Sequence, residues 1–352
     1  MSSAFGALGV SRSACTQWIF FATECEKMNG GNEKRRDAID LQLKKREAWE
    51  EGLWGAYKPD CSPPVVTFVG HAFGTKKNEA VRDGILRAGA LLIMITQRHM
   101  YDVPKLKWAT QASLDTYGFV LPSYANTVGI VRRATNDSRA LSPSYEMASI
   151  LGNKRATQAW LQSQRVFEAN LLEEYIYPWK VRRFPVFMKP SKGVSGNAIS
   201  IVRSNATLLR KGFFLQEAVR NRTEWGAHFG ALSATLIIVR CVSMQFKEDM
   251  FVRRHKKTLG TVQKITNRAC PSEVTALASL LVARTRYHGI GCLGIKFRGA
   301  TPKLIEVNAR LCGMAVTHNS GAIMRDIVSS LLHGLNSKCC AGKISNCKEN
   351  HT

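Results

Sequence analysis

Acid is what this 352-residue chain has least of: 26 Asp and Glu stand against 50 Lys and Arg, a formal net charge of +24. Such a balance favours anionic partners, whether nucleotides, carboxylates, phosphates, nucleic acid or acidic membrane surfaces, and says nothing about fold. Long hydrophobic runs are also missing. The longest, Gly89–Ile95 and Ala231–Val239, fall well short of the ~20 residues a membrane span needs, so no transmembrane segment is expected. The 10 cysteines form no C-x-x-C pair, which argues against a zinc or dithiol motif. Cys241 and Cys292 sit in apolar, strand-like surroundings and read as small buried hydrophobes. The cysteines as a set read as mostly free thiols in a reducing compartment. Gly70 and Gly74 are too few for a dinucleotide-binding fingerprint.

A hydrophobic content of 45% fits an ordinary globular protein, and the length allows two or three domains. Residues 1–23 hold no acid and one base, Arg12, which suits either a transit peptide or a loosely packed terminus. Asn32–Trp54 reads as a charged helix with Ile39, Leu43, Trp49 and Leu53 near one face. Pro64–Gly70 and Ala90–Ile95 read as strands around a helix from Asn78 to Ala88, the opening of a parallel α/β layer. Residues 117–121 and 127–131 are candidate further strands, and Asn136–Ser144 reads as a linker.

Beyond the linker, polar residues recur at the ends of apolar runs. A helix is expected from Asn153 to Gln164, with Lys154 and Arg155 in its first turn, where cations oppose the helix dipole unless an anion faces them. Phe184–Val202 reads FPVFMKPSKGVSGNAISIV: a strand ending at Lys189, a loop with Gly193, Ser195 and Gly196, then a second strand. Such a loop lets backbone N–H groups converge on an anion, with the lysine as a point charge for phosphate; a hairpin with a flexible tip fits the same residues. Phe213–Val219 reads as a strand, with Glu217 at its end and Glu224 beyond a polar turn. These carboxylates suit an amino group and a sugar hydroxyl, or pairing with Arg220 and Arg222. A strand over Leu232–Val239, a basic run at 253–257 and a helix over Ser272–His288 follow. Gly289–Gly313 then reads as two strands, with Glu306 and Asn308 on one face of the second and Arg310 after them. A carboxylate and an amide oxygen together suit a hard cation such as Mg2+. A helix over 320–334 and a tail from Asn336 complete the chain.

Taken in order, these stretches resemble the ATP-grasp superfamily, the fold of D-alanine–D-alanine ligase, biotin carboxylase and the carbamoyl-phosphate synthetase large chain. The resemblance spans roughly residues 65–335. It implies a mixed α/β and α+β architecture: an N-terminal extension (1–60), a Rossmann-like pre-ATP-grasp domain (61–145), an ATP-grasp domain of two α+β subdomains clamping ATP (146–335) and a mobile tail (336–352). It implies that Lys154 and Lys189 hold the ATP phosphates under a lid loop of Gly193, Ser195 and Gly196. Glu217, beside the Ala218 and Val219 backbone, is similar to the acid that reads the adenine amino group, and Glu224 to the ribose-binding acid. Glu306 and Asn308 match the metal ligands of an E-x-N pattern, for Mg2+ or Mn2+, and Arg310 matches the phosphoryl-stabilising arginine.

The implied activity is ATP-dependent ligation of a small carboxylate to an amine or thiol through an acyl phosphate. A cytoplasmic protein is expected, with organellar targeting and homo-oligomerisation left open. Two residues depart from the pattern: Gly294 stands where a further oxygen ligand is usual, and Ala309 where proline is. The first motivates an alternative, a nucleotide-binding protein without ligase activity. The charge alone motivates another, a nucleic-acid-binding module, although bases and aromatics are not interleaved as such modules require.

Overall fold

Val65–Val69 reads VVTFV with every side chain buried, the pattern of a strand covered on both faces. In the computed structural model it is β1, the centre of a parallel three-stranded sheet ordered β2-β1-β3, with β2 at Leu91–Ile95 and β3 at Phe119–Pro122. Helix α1 (Thr75–Arg87) joins β1 to β2, and α2 (Val103–Asp115) joins β2 to β3. A side chain at Gly118, just before β3, would put its Cβ 1.8 Å from the Val65 carbonyl oxygen, so only glycine fits there.

The structure describes residues 64–69, 75–95, 103–115, 118–122, 125–135, 139–192, 199–249, 262–310 and 320–348. The expected helix at Asn32–Trp54, the turn at Gly70 and Gly74, the loop of Gly193, Ser195 and Gly196, and the basic run at 253–257 lie outside them.

Residues 127–131, expected as a strand, belong to helix α3 (Ala125–Ala134). Thr127, Val128 and Val131 are fully buried, a helical spacing that a short apolar run does not distinguish from a strand. The stretch after it does more than link: Ala140 bridges Val120, and Leu141 is part of the core.

Helices α4 (Tyr145–Leu151) and α5 (Lys154–Ser163) lead into an antiparallel four-stranded sheet ordered β4-β7-β5-β6. Its strands are β4 (Glu174–Tyr175), β5 (Val186–Pro190), β6 (Ser200–Val202) and β7 (Phe213–Glu217). Val186, Met188, Val202 and Leu215 form a small core on one face. Alternation therefore puts Phe187, Lys189, Phe214 and Gln216 on the other.

An antiparallel five-stranded sheet follows, ordered β10-β9-β8-β11-β12. The single strand expected at Leu232–Val239 is a hairpin: β8 (Thr223–Leu232) turns at Ser233 and Ala234, with φ of 49° and 66°, into β9 (Thr235–Phe246). Neither turn residue is Gly, Asn or Asp, so the usual hairpin signal is missing. β10 (Val262–Arg268), α6 (Ser272–Thr285), β11 (Gly289–Arg298), β12 (Thr301–Asn308) and α7 (Ser320–Lys348) complete the order.

One face of this sheet packs on α6, whose Val274, Leu277, Ala278 and Leu281 recur at helical spacing and meet Ala227, Phe229, Leu293 and Ile295. On the other face, Ile327 and Leu331 of α7 share one apolar core with Ile290 and Val242 and with Phe68 and Phe119 of the parallel sheet. Cys241, expected as a free buried thiol, forms a disulfide with Cys270, with Cα atoms 5.0 Å apart. β9 and the segment before α6 bring the two together across 29 residues of chain. No helix among the described residues is long and apolar enough to cross a membrane.

Candidate functional site

Glu306 and Asn308 share a face through their spacing, and an irregularity in β12 sets which face that is. The β11–β12 register shifts between Gly294 and Ile295, so Gly294 pairs with Glu306 whereas Ile295 pairs with Leu304. The extra residue, Ile305, lets Leu304 and Val307 both enter the core beneath α6. Glu306 and Asn308 are thereby left half-buried on the opposite face. Rows of cross-strand neighbours run along that face. Gly226, Gly294 and Glu306 form one; His228, Cys292 and Asn308 form the next.

The four-stranded sheet and α5 supply the other wall. Asn153 caps α5, its side chain accepting from the N–H groups of Arg155 and Ala156 at 3.2 and 3.3 Å. The Lys154 N–H donates to the Ser191 carbonyl at 2.9 Å, tying the first turn of the helix to the end of β5. The Lys154 side chain then lines a cleft with Glu174, Gln216 and Glu306. Burial pulls its pKa below the usual lysine value, Glu306 opposes that, and Arg310 adds to it.

Lys189 lies deeper. It is buried, and its Nζ donates to Gln216 Oε1 at 2.6 Å. Burial lowers its pKa to about 8 against the pull of Glu306 and Glu224, with Lys154 also lowering and Glu174 raising it. Glu174 is the converse: burial raises its carboxyl to about 8, while Gln216, Lys189 and Arg155 hold it back. Thus Lys154 on one wall and Glu306 on the other line one cleft, with Lys189 buried behind Gln216 and within electrostatic reach of Glu306 and Glu224.

Glu217 is placed differently. It pairs with Val186, on the face of the sheet away from Lys189, and its carboxylate takes Arg298 at 2.6 Å and the Glu173 N–H at 3.3 Å. Ala218 is half-buried and Val219 buried at the start of the connection to β8. The Val219 carbonyl accepts from Lys296 Nζ at 3.4 Å, and the same ammonium reaches the Asp249 carbonyl at 3.0 Å. Gly193, Ser195 and Gly196 lie outside the described residues. His228 is fully buried with no hydrogen-bond partner for either ring nitrogen among the described residues, and burial lowers its pKa to about 4.

Sequence reasoning missed Glu174, Gln216 and Lys296. Gln216 sits next to Glu217 in a strand already recognised, so alternation alone offers it as a neighbour of Lys189. Glu174, on a two-residue strand, carries no comparable signal.

Solved structures share this arrangement of sheets. D-alanine–D-alanine ligase from Bacillus anthracis is similar at 10% identity, over 79% of this chain and 100% of that one, with a TM-score of 0.52. The fold is the ATP-grasp fold. The same bacterial ligase complexed with ATP matches at 12% identity over 79% and 99% of the two chains, with a TM-score of 0.49. N5-carboxyaminoimidazole ribonucleotide synthetase from Thermotoga maritima matches at 14% identity over 76% of each chain, also at 0.49. Identities this low speak for the ATP-grasp fold alone. No model of a protein family matches the sequence, and no curated protein matches it.

Within the ATP-grasp fold the oxygen donors can be weighed against a divalent cation. Glu306 offers a carboxylate and Asn308 an amide oxygen from one face of β12. No group of three or more His, Cys, Asp or Glu gathers among the described residues. Two oxygen donors suit a hard cation that arrives with phosphate oxygens and water in its shell.

Proposed function

We propose that the chain is an ATP-dependent ligase that joins a carboxylate to an amine or thiol. The observation that carries this reading is the cleft that Lys154 and Glu306 line together, with Lys189 within electrostatic reach of Glu306. Cations from a helix and from one sheet then act with a carboxylate from the other sheet, as a triphosphate with its counter-ion requires. Lys154 and Lys189 bind the phosphates, Glu224 takes the ribose, and the backbone from Glu217 to Val219 reads the base. Glu306 and Asn308 hold Mg2+, which when bound neutralises phosphate charge. A substrate carboxylate oxygen attacks the γ-phosphorus and ADP leaves. The amine or thiol then attacks the acyl carbon, and phosphate departs with its bonding electron pair. Arg310 stabilises charge on the phosphoryl group in transit, and the rest of the protein's contribution is positioning.

Binding of a fluorescent ATP analogue, followed by ADP release with a panel of amino acids and other carboxylates, tests this. Saturable binding lost in Lys189→Met, with carboxylate-dependent ADP release, is the expected result. Absence of nucleotide binding by the intact chain would overturn it. Gly294 favours a second reading, a nucleotide-binding protein without turnover, because the position facing Glu306 offers no oxygen. Binding without ADP release on any substrate would select that one.

A further inference from the structure

We infer that Glu174 is a positioning residue for the Lys189 ammonium, acting through the side-chain amide of Gln216. The inference rests on the nucleotide reading above, which gives Lys189 its task. Register sets the relay up. Gln216 lies between Phe187 of β5 and Glu174 of β4, directly across from each, so its side chain shares a face with Lys189 and Glu174. Lys189 donates to Gln216 Oε1 at 2.6 Å, and Gln216 Nε2 donates to Glu174 Oε1 at 3.2 Å.

Each link uses the amide in its only consistent orientation. The ammonium can only donate, so the Gln216 oxygen must face it; the amide NH2 can only donate, so Glu174 must accept. A buried ammonium needs its donors satisfied, and Lys189 has the Gln216 oxygen as a side-chain acceptor. Gln216 is neutral. Its orientation is held from the far end of the amide by Glu174, whose carboxyl burial pushes towards the neutral form and which accepts through an oxygen in either form. The relay orients the ammonium and leaves its remaining protons for an anion.

The other charged groups do not replace this contact. Glu306 and Glu224 also attract Lys189, and Lys154 repels it, but none of them hydrogen-bonds to its ammonium. Arg155 acts on Glu174 from the first turn of α5.

The test uses the full chain and four variants: Glu174→Gln, Glu174→Leu, Gln216→Leu and the double variant Glu174→Leu/Gln216→Glu. Affinity for a fluorescent ATP analogue is measured alongside the rate at which an amine reagent labels Lys189, read by mass spectrometry. Glu174→Leu and Gln216→Leu are expected to weaken the analogue by roughly ten-fold or more, the order for a lost hydrogen bond to a charged group. Lys189 should label at a changed rate in both, and KM for ATP should rise more than kcat falls. Glu174→Gln, which keeps an acceptor oxygen, should lie between these and the parent chain. The double variant puts a carboxylate directly on Lys189 and should recover much of the loss, which a merely structural role for Glu174 would not allow. Unchanged affinity and labelling in Glu174→Leu would overturn the relay. Should that variant not fold, failure of the double variant to restore folding and binding would overturn it equally. If the parent chain binds no nucleotide, the functional reading falls, and the labelling rates on the free protein still decide the relay.

Discussion

Gly294 stands directly across the β11–β12 ladder from Glu306, and a Cβ placed on it would lie 3.0 Å from the Glu306 Cγ. The Glu306 side chain is flexible enough to give way by a few tenths of an ångström. Gly294→Asp would therefore set two carboxylates face to face. Without divalent ions the variant should be destabilised by up to about 1 kcal/mol, since like charges directly opposite on a sheet repel. With Mn2+ and a non-hydrolysable ATP analogue it should be stabilised more than the parent, because paired carboxylates suit a hard cation. Thermal melts with and without Mn2+ check both signs; an ion-independent loss would contradict the placement.

His228 offers a pH signature. Burial lowers its folded pKa to about 4, below the ordinary histidine value of 6.5, so the unfolded chain takes up the proton first as pH falls. Its contribution to stability is intact above pH 6.5 and is lost between about 6.5 and 4. His228→Leu removes that titration and two buried nitrogens without a partner among the described residues. The variant should melt higher than the parent at pH 5, by a margin that shrinks towards pH 7.

The Arg298–Glu217 pair is partly open to water, with side-chain exposures of 46% and 25%. Arg298→Ala should cost no more than about 1 kcal/mol, the usual range for a solvated ion pair. Chemical denaturation measures this. A loss well above that range would mean that the pair holds the turn after β7 in place.

Gly291 is a packing constraint. A Cβ there would fall 2.3 Å from Cζ of Phe229, whose fully buried ring meets Tyr287 edge-on at 5.1 Å between centroids. Gly291→Ala should destabilise by about 1–3 kcal/mol through overpacking. Gly291→Ala/Phe229→Leu should recover part of the loss, and a double-mutant cycle would give the coupling.

Much of this was legible where chemistry is local. Asn153 announces the start of α5 because its side chain caps the helix, and Lys154 follows by chain adjacency. The spacing of Glu306 and Asn308 fixes a shared face for any extended segment. What stayed hidden depends on partners far along the chain. The sequence puts Glu217 at a strand end, but the pairing with Val186 decides which way its carboxylate points. Glu174 matters only because β4 lies beside β7. The Ser233–Ala234 turn has no glycine to mark it, and residues 127–131 fit either period until α3 is packed.

The packing of α7 sets a limit on dissection. Its inner side chains are shared between the parallel sheet and the five-stranded sheet, and a Cβ on Gly84 of α1 would come within 2.5 Å of the Met324 Cβ. Trimming the chain to begin at α4 would strip one flank of that helix to water and leave a greasy stripe beside the antiparallel sheets. Such a fragment should clump or pair through the stripe, so the half that starts at α4 is not expected to survive as a free-standing piece.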